Sequence, residues 1–457
     1  MKNKGIFKVL GIALLVVILL TWVIPSSIIS GGITIGKIAP TGIADIFSSI
    51  EVLNSYFMSP GIYILFVGMF YGVANASGSL KALVNKIVSI FKNKKWLFVV
   101  LTVLFYSILT AFTGIYVPTL IFVPLSIAVL FGLKYNKVQA ILATVGASTI
   151  GLLGQVFNSN AANIVSGKDN YLLFKAGLLT VLVILTIIYI LKVSIKKDKT
   201  EKSEDSVMFV PENRSVEKKV TVKGISLFIV MCLLFVVFVL GLTPWDTDIF
   251  EKAYDAIKNV KIGNFAVFSS ILGAFNTFGT WSYNELYTTI ALAIIVISIS
   301  NHMKFGEMIE SCVEGAKKLM GVAILAILIN LILVFTLNSG FIATIINLIS
   351  KNGRTILAFG ATFVGSPFMV DINYALQYLL SCLVYSTDKQ DLLNLYALFV
   401  QFAFGFVSLI APSSVLLMVG LSYVEESYSK WFKYIWKFLI CVLIAISITL
   451  ALVKFIK

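Results

Sequence analysis

Thirteen apolar runs follow one another along this chain, and most of them are long enough to cross a bilayer as an α-helix. In order they are 7–24, 61–76, 96–112, 115–131, 138–156, 171–195, 225–242, 287–300, 319–337, 356–370, 372–384, 392–411 and 431–453. Hydrophobic residues make up 59% of the chain, against about 45–50% in soluble domains. This excludes a soluble enzyme, a nucleic-acid-binding domain and a disulfide-stapled secreted domain.

The runs predict helices rather than barrel strands, because none of them alternates with period two. The expected fold class is therefore an all-α polytopic membrane protein. The net charge of +14 fits this class, since lysine and arginine collect in cytoplasmic loops. We expect no nucleic-acid partner.

The distribution of lysines predicts the orientation in the membrane. It places the N-terminus, residues 81–95 and the polar stretch 196–224 in the cytoplasm, and 26–60, 244–283 and 385–391 outside. Of the 36 basic residues, 34 are lysines, which indicates an AT-rich genome. We expect a multi-pass protein of the cytoplasmic membrane of a bacterium.

The chain is expected to consist of two similar halves, 1–195 and 225–457, joined by the cytoplasmic linker 196–224. Each half shows a span ending in Ser-Gly, an amphipathic stretch, a pair of short apolar runs, and a long run broken by polar residues. We interpret the pairs as re-entrant hairpins, at about 96–132 and 355–386. The long runs are then broken helices, at about 138–167 and 392–421. The lysine-based orientation inverts one half relative to the other, as in many transporters. Whether 262–278 spans the membrane stays open.

Irregular backbone at membrane depth must line a protein-buried cavity, so the four breaks are the candidate site. The side chains and backbone groups there can bind a carboxylate at helix starts and coordinate Na⁺. The candidate residues are Thr110, Thr113, Gly114, Asn158, Ser159, Asn160, Asn163, Ser366, Asp371, Asn373, Ser413 and Ser414. A coupling Na⁺ would lie near Asn158, Asn160 and Ser413, and no other metal and no catalytic residue is expected.

Asp371 is the acidic residue that lies well inside an apolar run. A carboxylate at membrane depth is costly and usually has a function. Three functions stay open: a proton carrier, a Na⁺ ligand, or the partner of a substrate amine. The alternative is a hairpin tip that reaches the outer water.

Four motifs resemble the C4-dicarboxylate anaerobic carrier-like permeases, a family of the ion-transporter superfamily that includes dicarboxylate and basic amino-acid permeases. They are Leu20-Thr21-Trp22-Val23-Ile24-Pro25; Phe66-Val67-Gly68-Met69-Phe70-Tyr71-Gly72-Val73 with Ser77-Gly78; Gln401-Phe402-Ala403-Phe404-Gly405 with Pro412-Ser413-Ser414 and Leu417-Met418; and Ser427-Tyr428-Ser429-Lys430-Trp431-Phe432. The resemblance implies a secondary permease for dicarboxylates or amino acids. Both hairpins depart from the family pattern. Residues 114–118 lack its acidic cluster, and Val370-Asp371-Ile372-Asn373 stands where the family often has Ser-Gly-Ser-Gly.

The sequence therefore predicts a secondary active transporter, a symporter or an exchanger, for a small carboxylate-bearing metabolite such as an amino acid or a C4-dicarboxylate. ATP is not the direct driver, because the chain has no GxxxxGK[ST] motif. No cofactor is expected, and Na⁺ or H⁺ is the candidate coupling ion. The expected partners are the substrate and the lipid bilayer, and a homodimer stays open. Two alternatives are an intramembrane transferase-type enzyme and a structural subunit of a membrane complex. One histidine and two arginines argue against the enzyme.

Overall fold

The computed structural model describes residues 4–156, 171–193, 209, 222–245, 247–263, 265–267, 270, 273 and 275–456. Among these, eight helices are long and apolar enough to cross a membrane. This confirms the prediction of a helical, multi-pass membrane protein.

The helices of the first half match the predicted apolar runs, with two exceptions. The helices are α1 (Lys4–Val23), α2 (Ile43–Val52), α3 (Ser59–Ala76), α4 (Ser79–Phe91), α5 (Lys95–Thr113), α6 (Val123–Gly132), α7 (Lys137–Ile141), α8 (Ala147–Leu153) and α9 (Leu172–Lys192). The exceptions are α2, which lies in the linker 26–60, and α4, which is the predicted amphipathic stretch. A π-helical turn at Leu53–Phe57 precedes α3, and a second at Leu142–Gly146 joins α7 to α8. A 3-10 segment at Val117–Ile121 lies between α5 and α6.

The described residues of the second half form eleven helices. They are α10 (Val222–Leu242), α11 (Ile249–Lys258), α12 (Tyr283–Ser300), α13 (Phe305–Leu328), α14 (Asn330–Ser339), α15 (Phe341–Ser350), α16 (Thr355–Gly365), α17 (Ile372–Thr387), α18 (Leu393–Val407), α19 (Val415–Tyr423) and α20 (Tyr428–Ile456). The short 3-10 segments Ser366–Phe368 and Gln390–Leu392 complete it. The described part of 262–278 contains no spanning helix.

Two short β-hairpins were not predicted from the sequence. Strand β1 (Pro25–Ile29) pairs antiparallel with β2 (Ile33–Ile38), and β3 (Lys261–Ile262) pairs with β4 (Phe265–Ala266). The turn of the first contains Gly31 with a positive φ of 65°, a conformation that glycine adopts without strain. The β1–β2 hairpin packs on α15, where the Ser27 hydroxyl lies 2.6 Å from that of Thr344.

Helices α3 and α13, one from each predicted half, pack closely against each other. A Cβ atom added at Gly68 would lie 2.7 Å from the carbonyl oxygen of Gly315, and one added at Gly72 would lie 2.2 Å from that of Ser311. Small residues at such contacts allow the two backbones to approach. The pair therefore forms a tight support beside the helices that carry the site.

Corresponding elements of the two halves make corresponding contacts. Gly78 and Gly340, both with positive φ, precede the amphipathic helices α4 and α15. In the first half α5 packs on α8, and in the second α16 packs on α18. The domain boundaries, the inversion and the re-entrant nature of the hairpins stay predictions. Helix α5, with 19 residues, is about 28 Å long and could cross the hydrocarbon layer by itself.

Candidate functional site

The first hairpin consists of α5 and α6, and its tip is residues 114–121. Gly114 ends α5 with a φ of 72°, and its N–H donates to the carbonyl of Thr110 at 2.9 Å. The buried Thr110 hydroxyl donates to the carbonyl of Ile115 at 3.0 Å, and Thr113 accepts from the N–H of Ile115 at 3.1 Å. These three predicted site residues therefore build the turn. Their polar groups bond to the backbone of the tip itself.

The second hairpin consists of α16 and α17, and its tip is residues 366–371. The buried Ser366 hydroxyl donates to the carbonyl of Thr362 at 2.6 Å. Asp371 is the N-cap of α17, where its Oδ1 atom accepts from the N–H of Asn373 at 2.7 Å. The Asn373 side chain is exposed. Ser366 thus shapes the tip, whereas the Asp371 carboxylate points to a partner outside its own hairpin.

That partner is Tyr116 of the first tip, whose hydroxyl donates a hydrogen bond to the Oδ2 atom of Asp371. The two tips therefore meet, although their residues are 255 positions apart. Both residues are half-buried. Sequence reasoning missed Tyr116, because nothing in the spacing of the two hairpins shows which side chains meet.

Two more tyrosines surround Asp371. Tyr374 follows Asp371 by three residues, in the first turn of α17. Tyr283, at the start of α12, packs beside Tyr63, whose hydroxyl donates to the carbonyl of Pro118 in the first tip at 2.6 Å. The Tyr283 ring lies 5.8 Å from that of Tyr63 in α3, and the Tyr374 ring lies 6.0 Å from that of Phe57. Asp371 thus lies at the end of the bundle where α3 and α12 begin. We call the rings of Tyr283 and Tyr374 at this end the aromatic wall.

The second break separates α18 from α19. Two backbone carbonyls of this break accept hydrogen bonds from α20. The Trp431 indole donates to the carbonyl of Leu409 at 2.9 Å, and the Tyr428 hydroxyl donates to that of Ile410. Ser413 is buried, and Ser414 caps α19 by accepting from the N–H of Leu417 at 3.4 Å. Helix α19 packs against the 3-10 segment Val117–Ile121 of the first tip. The structure therefore brings the helix that follows the second break to the first tip.

The first break follows α8, and Asn158, Ser159, Asn160 and Asn163 lie outside the described residues. The residues just before this break are hydrogen-bonded to α18. The buried Gln401 amide of that helix donates to the carbonyls of Leu153 at 3.1 Å and Gln155 at 3.2 Å. The N–H of Val156 donates to the carbonyl of Ala111 at 3.0 Å. Gln401 was quoted in a motif, but its bonding role was not predicted.

Lys175 is a buried cation that the sequence argument overlooked. It lies in the first turn of α9 with 2% of its side chain exposed. One turn further on, Leu179 is the residue that a Cβ added at Gly154 would meet, at 2.7 Å. Lys175 therefore lies one turn from the contact between α9 and the end of α8. A lysine inside the apolar run 171–195 was the signal that could have found it.

Glu285 is also buried, in the first turn of α12. Its carboxylate accepts from the N–H and the hydroxyl of Ser282, both at 2.8 Å, and from the Asn276 amide at 2.7 Å. These bonds cap the helix.

The family is identified from the sequence, since residues 4–386 match the family model DcuC, C4-dicarboxylate anaerobic carrier. The chain belongs to the C4-dicarboxylate anaerobic carrier family. Members of this family are secondary transporters of carboxylates or related metabolites, and this chain is one of them. No curated protein matches the sequence.

Two solved structures of transporters resemble this one. Neisseria gonorrhoeae MtrF, described with a class of antimetabolite efflux pumps, is 12% identical over 98% of this chain and 94% of its own, with a TM-score of 0.42. The Alcanivorax borkumensis YdaH transporter, described as having an unusual topology, is 11% identical over 99% of this chain and 98% of its own, with a TM-score of 0.41.

Proposed function

We propose that this carrier moves a small carboxylate-bearing metabolite, an amino acid or a C4-dicarboxylate, which binds where the two hairpin tips meet. The observation that carries the proposal is the hydrogen bond from Tyr116 to Asp371. It joins the irregular segments of both halves at one place, beside the aromatic wall of Tyr283 and Tyr374. Non-helical backbone in a membrane protein is tolerated where it lines a cavity, so this junction is the best candidate for a substrate site.

Two groups could hold a substrate carboxylate. The start of α19, capped by Ser414, offers backbone N–H groups and the positive end of the helix dipole. The buried Lys175 is a basic side chain one turn before the contact of α9 with the end of α8. A buried ionisable residue in a membrane span is a functional candidate. Lys175→Gln should therefore weaken carboxylate binding, whereas Lys192→Gln, at the exposed end of the same helix, should leave it unchanged.

The remaining features of the proposal follow from the sequence. Transport is coupled to Na⁺ or H⁺ or proceeds by exchange, with no cofactor and no catalytic reaction. The N-terminus lies in the cytoplasm, the two halves are inverted, and the host is a bacterium. Family membership and the scarcity of histidine and arginine support a carrier over an intramembrane enzyme. A homodimer is compatible with these features.

Uptake into proteoliposomes tests the proposal. The purified full-length protein is reconstituted and offered radiolabelled amino acids and C4-dicarboxylates. Three conditions are compared: an inward Na⁺ gradient, an inward H⁺ gradient, and no gradient with unlabelled substrate inside. We expect accumulation of at least one carboxylate under one of these conditions. Uptake equal to that of protein-free liposomes for every compound and condition would contradict the function.

A further inference from the structure

The junction of the two tips combines one negative charge with several aromatic faces. Asp371 receives hydrogen bonds from the N–H of Asn373 and the hydroxyl of Tyr116. Both donors are neutral. Among the residues that the structure describes, no lysine, arginine or histidine forms a salt bridge with Asp371. The sequence of both tips, 114–121 and 366–371, contains no basic residue.

A half-buried carboxylate that has no cationic partner within the described part of the chain attracts a positively charged ligand. Tyr116, Tyr283 and Tyr374 belong to the same junction, and an aromatic ring attracts an ammonium group that comes within about 6 Å of its face. A second acid, the buried Glu285, lies two residues after Tyr283. Its negative charge adds to the same end of the bundle.

A dicarboxylate is poorly suited to this place. It would bring two negative charges to a junction that already holds Asp371, and like charges repel strongly where water is partly excluded. A substrate that carries an amine places its positive charge beside Asp371 and its carboxylate elsewhere. The charge of the junction therefore separates two substrate classes that the family membership leaves together.

We infer that Asp371, with the faces of Tyr116, Tyr283 and Tyr374, forms a binding site for the ammonium group of the substrate. The transported molecule is then an amino acid rather than a dianionic dicarboxylate. The inference rests on the proposed function, because it assigns the substrate class at the same junction. Asp371 binds the ammonium group directly, and the tyrosines position the group and shield it from water.

Equilibrium exchange with matched pairs of compounds tests the inference. Each pair differs only in the α-amine: aspartate against succinate, and leucine against 4-methylpentanoate. Lysine is added as a substrate with two amines. Exchange is measured in proteoliposomes for the wild-type protein and for Asp371→Asn, Tyr283→Leu and Tyr283→Phe. Asp391→Asn, an exposed acid beyond α17, is the matched control.

In each pair that is exchanged, the wild-type protein should bind the amino acid with an apparent affinity at least about tenfold higher than the compound without the amine. Asp371→Asn should reduce that ratio to about one, while Asp391→Asn keeps it. Tyr283→Leu should lower the affinity for the amine several-fold, and Tyr283→Phe, which keeps the ring face, should restore most of it.

The two possible failures are distinguishable. Exchange of succinate or 4-methylpentanoate in preference to its amine, or a ratio that Asp371→Asn leaves unchanged, overturns the inference and leaves the proposed function standing. Exchange of no carboxylate of either class overturns the proposed function as well.

Discussion

Tyr116 of the first hairpin tip donates a hydrogen bond to Asp371 of the second, and this bond joins the two halves of the chain at their irregular segments. Both residues are half-buried, so water can partly replace the bond when it is broken. Its direct contribution to stability should therefore be modest, at about 1 kcal/mol. Its main consequence is that the two tips are positioned relative to each other.

A double-mutant cycle measures this coupling. Tyr116→Phe and Asp371→Asn are made singly and together, and the free energy of unfolding in detergent is determined for each. We expect the effects to be non-additive by about 1 kcal/mol, because each substitution removes the same bond. Tyr116→Phe combined with the distant Asp391→Asn should be additive. Additivity of the Tyr116 and Asp371 substitutions would show that the tips do not interact.

Gln401 should be important for stability. Its amide donates to two carbonyls, of Leu153 and Gln155, where α8 ends in a buried environment. Gln401→Leu leaves both carbonyls without this donor, at a cost of about 1–3 kcal/mol for each group left unsatisfied. Gln377→Leu, at an exposed position of α17, is the control and should be nearly neutral. Equal thermal unfolding midpoints for the two variants would contradict this role.

Close packing between α3 and α13 predicts opposite effects for two glycine substitutions. Gly72→Ala forces a Cβ atom to within 2.2 Å of the Ser311 carbonyl oxygen, so the helices must separate. We expect a loss of several kcal/mol, as for overpacking with backbone displacement. Gly321→Ala meets no atom within 4 Å and should stabilise α13 by up to about 1 kcal/mol. Thermal unfolding in detergent distinguishes the two, and a Gly72→Ala protein as stable as Gly321→Ala would refute the contact.

Much of this architecture is visible in the sequence. The turns of both hairpins coincide with residues that interrupt helices, Gly114 and Pro118 in the first and Pro367 in the second. Ser414 is recognisable as a helix cap because it comes two residues after Pro412 and directly before an apolar run. These features are local, so a single sequence is sufficient to find them. The glycine pair at 31–32 was an equally local signal for the β1–β2 hairpin and was overlooked.

The contacts that define the site are not local. Tyr116 meets Asp371 across 255 positions, and Gln401 meets Leu153 across 248. Hydrophobic periodicity specifies which face of a helix is buried, but it does not specify which polar side chains meet between helices. For this reason the predicted Thr110, Thr113 and Ser366 proved to shape their own turns, whereas the unpredicted Tyr116 carries the contact between the halves.

The predicted inversion of the two halves implies opposite exposure of the two hairpin bases. In a cysteine-free background, Lys92→Cys precedes the first hairpin and Asp391→Cys follows the second, and both positions are exposed. A membrane-impermeant thiol reagent added to intact cells should label the cysteine at 391 and not the one at 92. Inside-out vesicles should give the reverse pattern. Labelling of both positions from the same side would exclude the inversion.

Counterflow through the reconstituted full-length protein tests the central claim, that the junction of the tips and the second break is the route of a carboxylate. Proteoliposomes loaded with an unlabelled amino acid or dicarboxylate are diluted into a trace of the same labelled compound, without ATP and without an ion gradient. We predict a transient accumulation of label for the wild-type protein and for Ser447→Leu, an exposed position of α20. Ser414→Leu, which blocks the start of α19, should reduce it at least about tenfold while the protein still inserts. Counterflow by Ser414→Leu equal to that of the wild type, or none by the wild type with any carboxylate, would contradict the account.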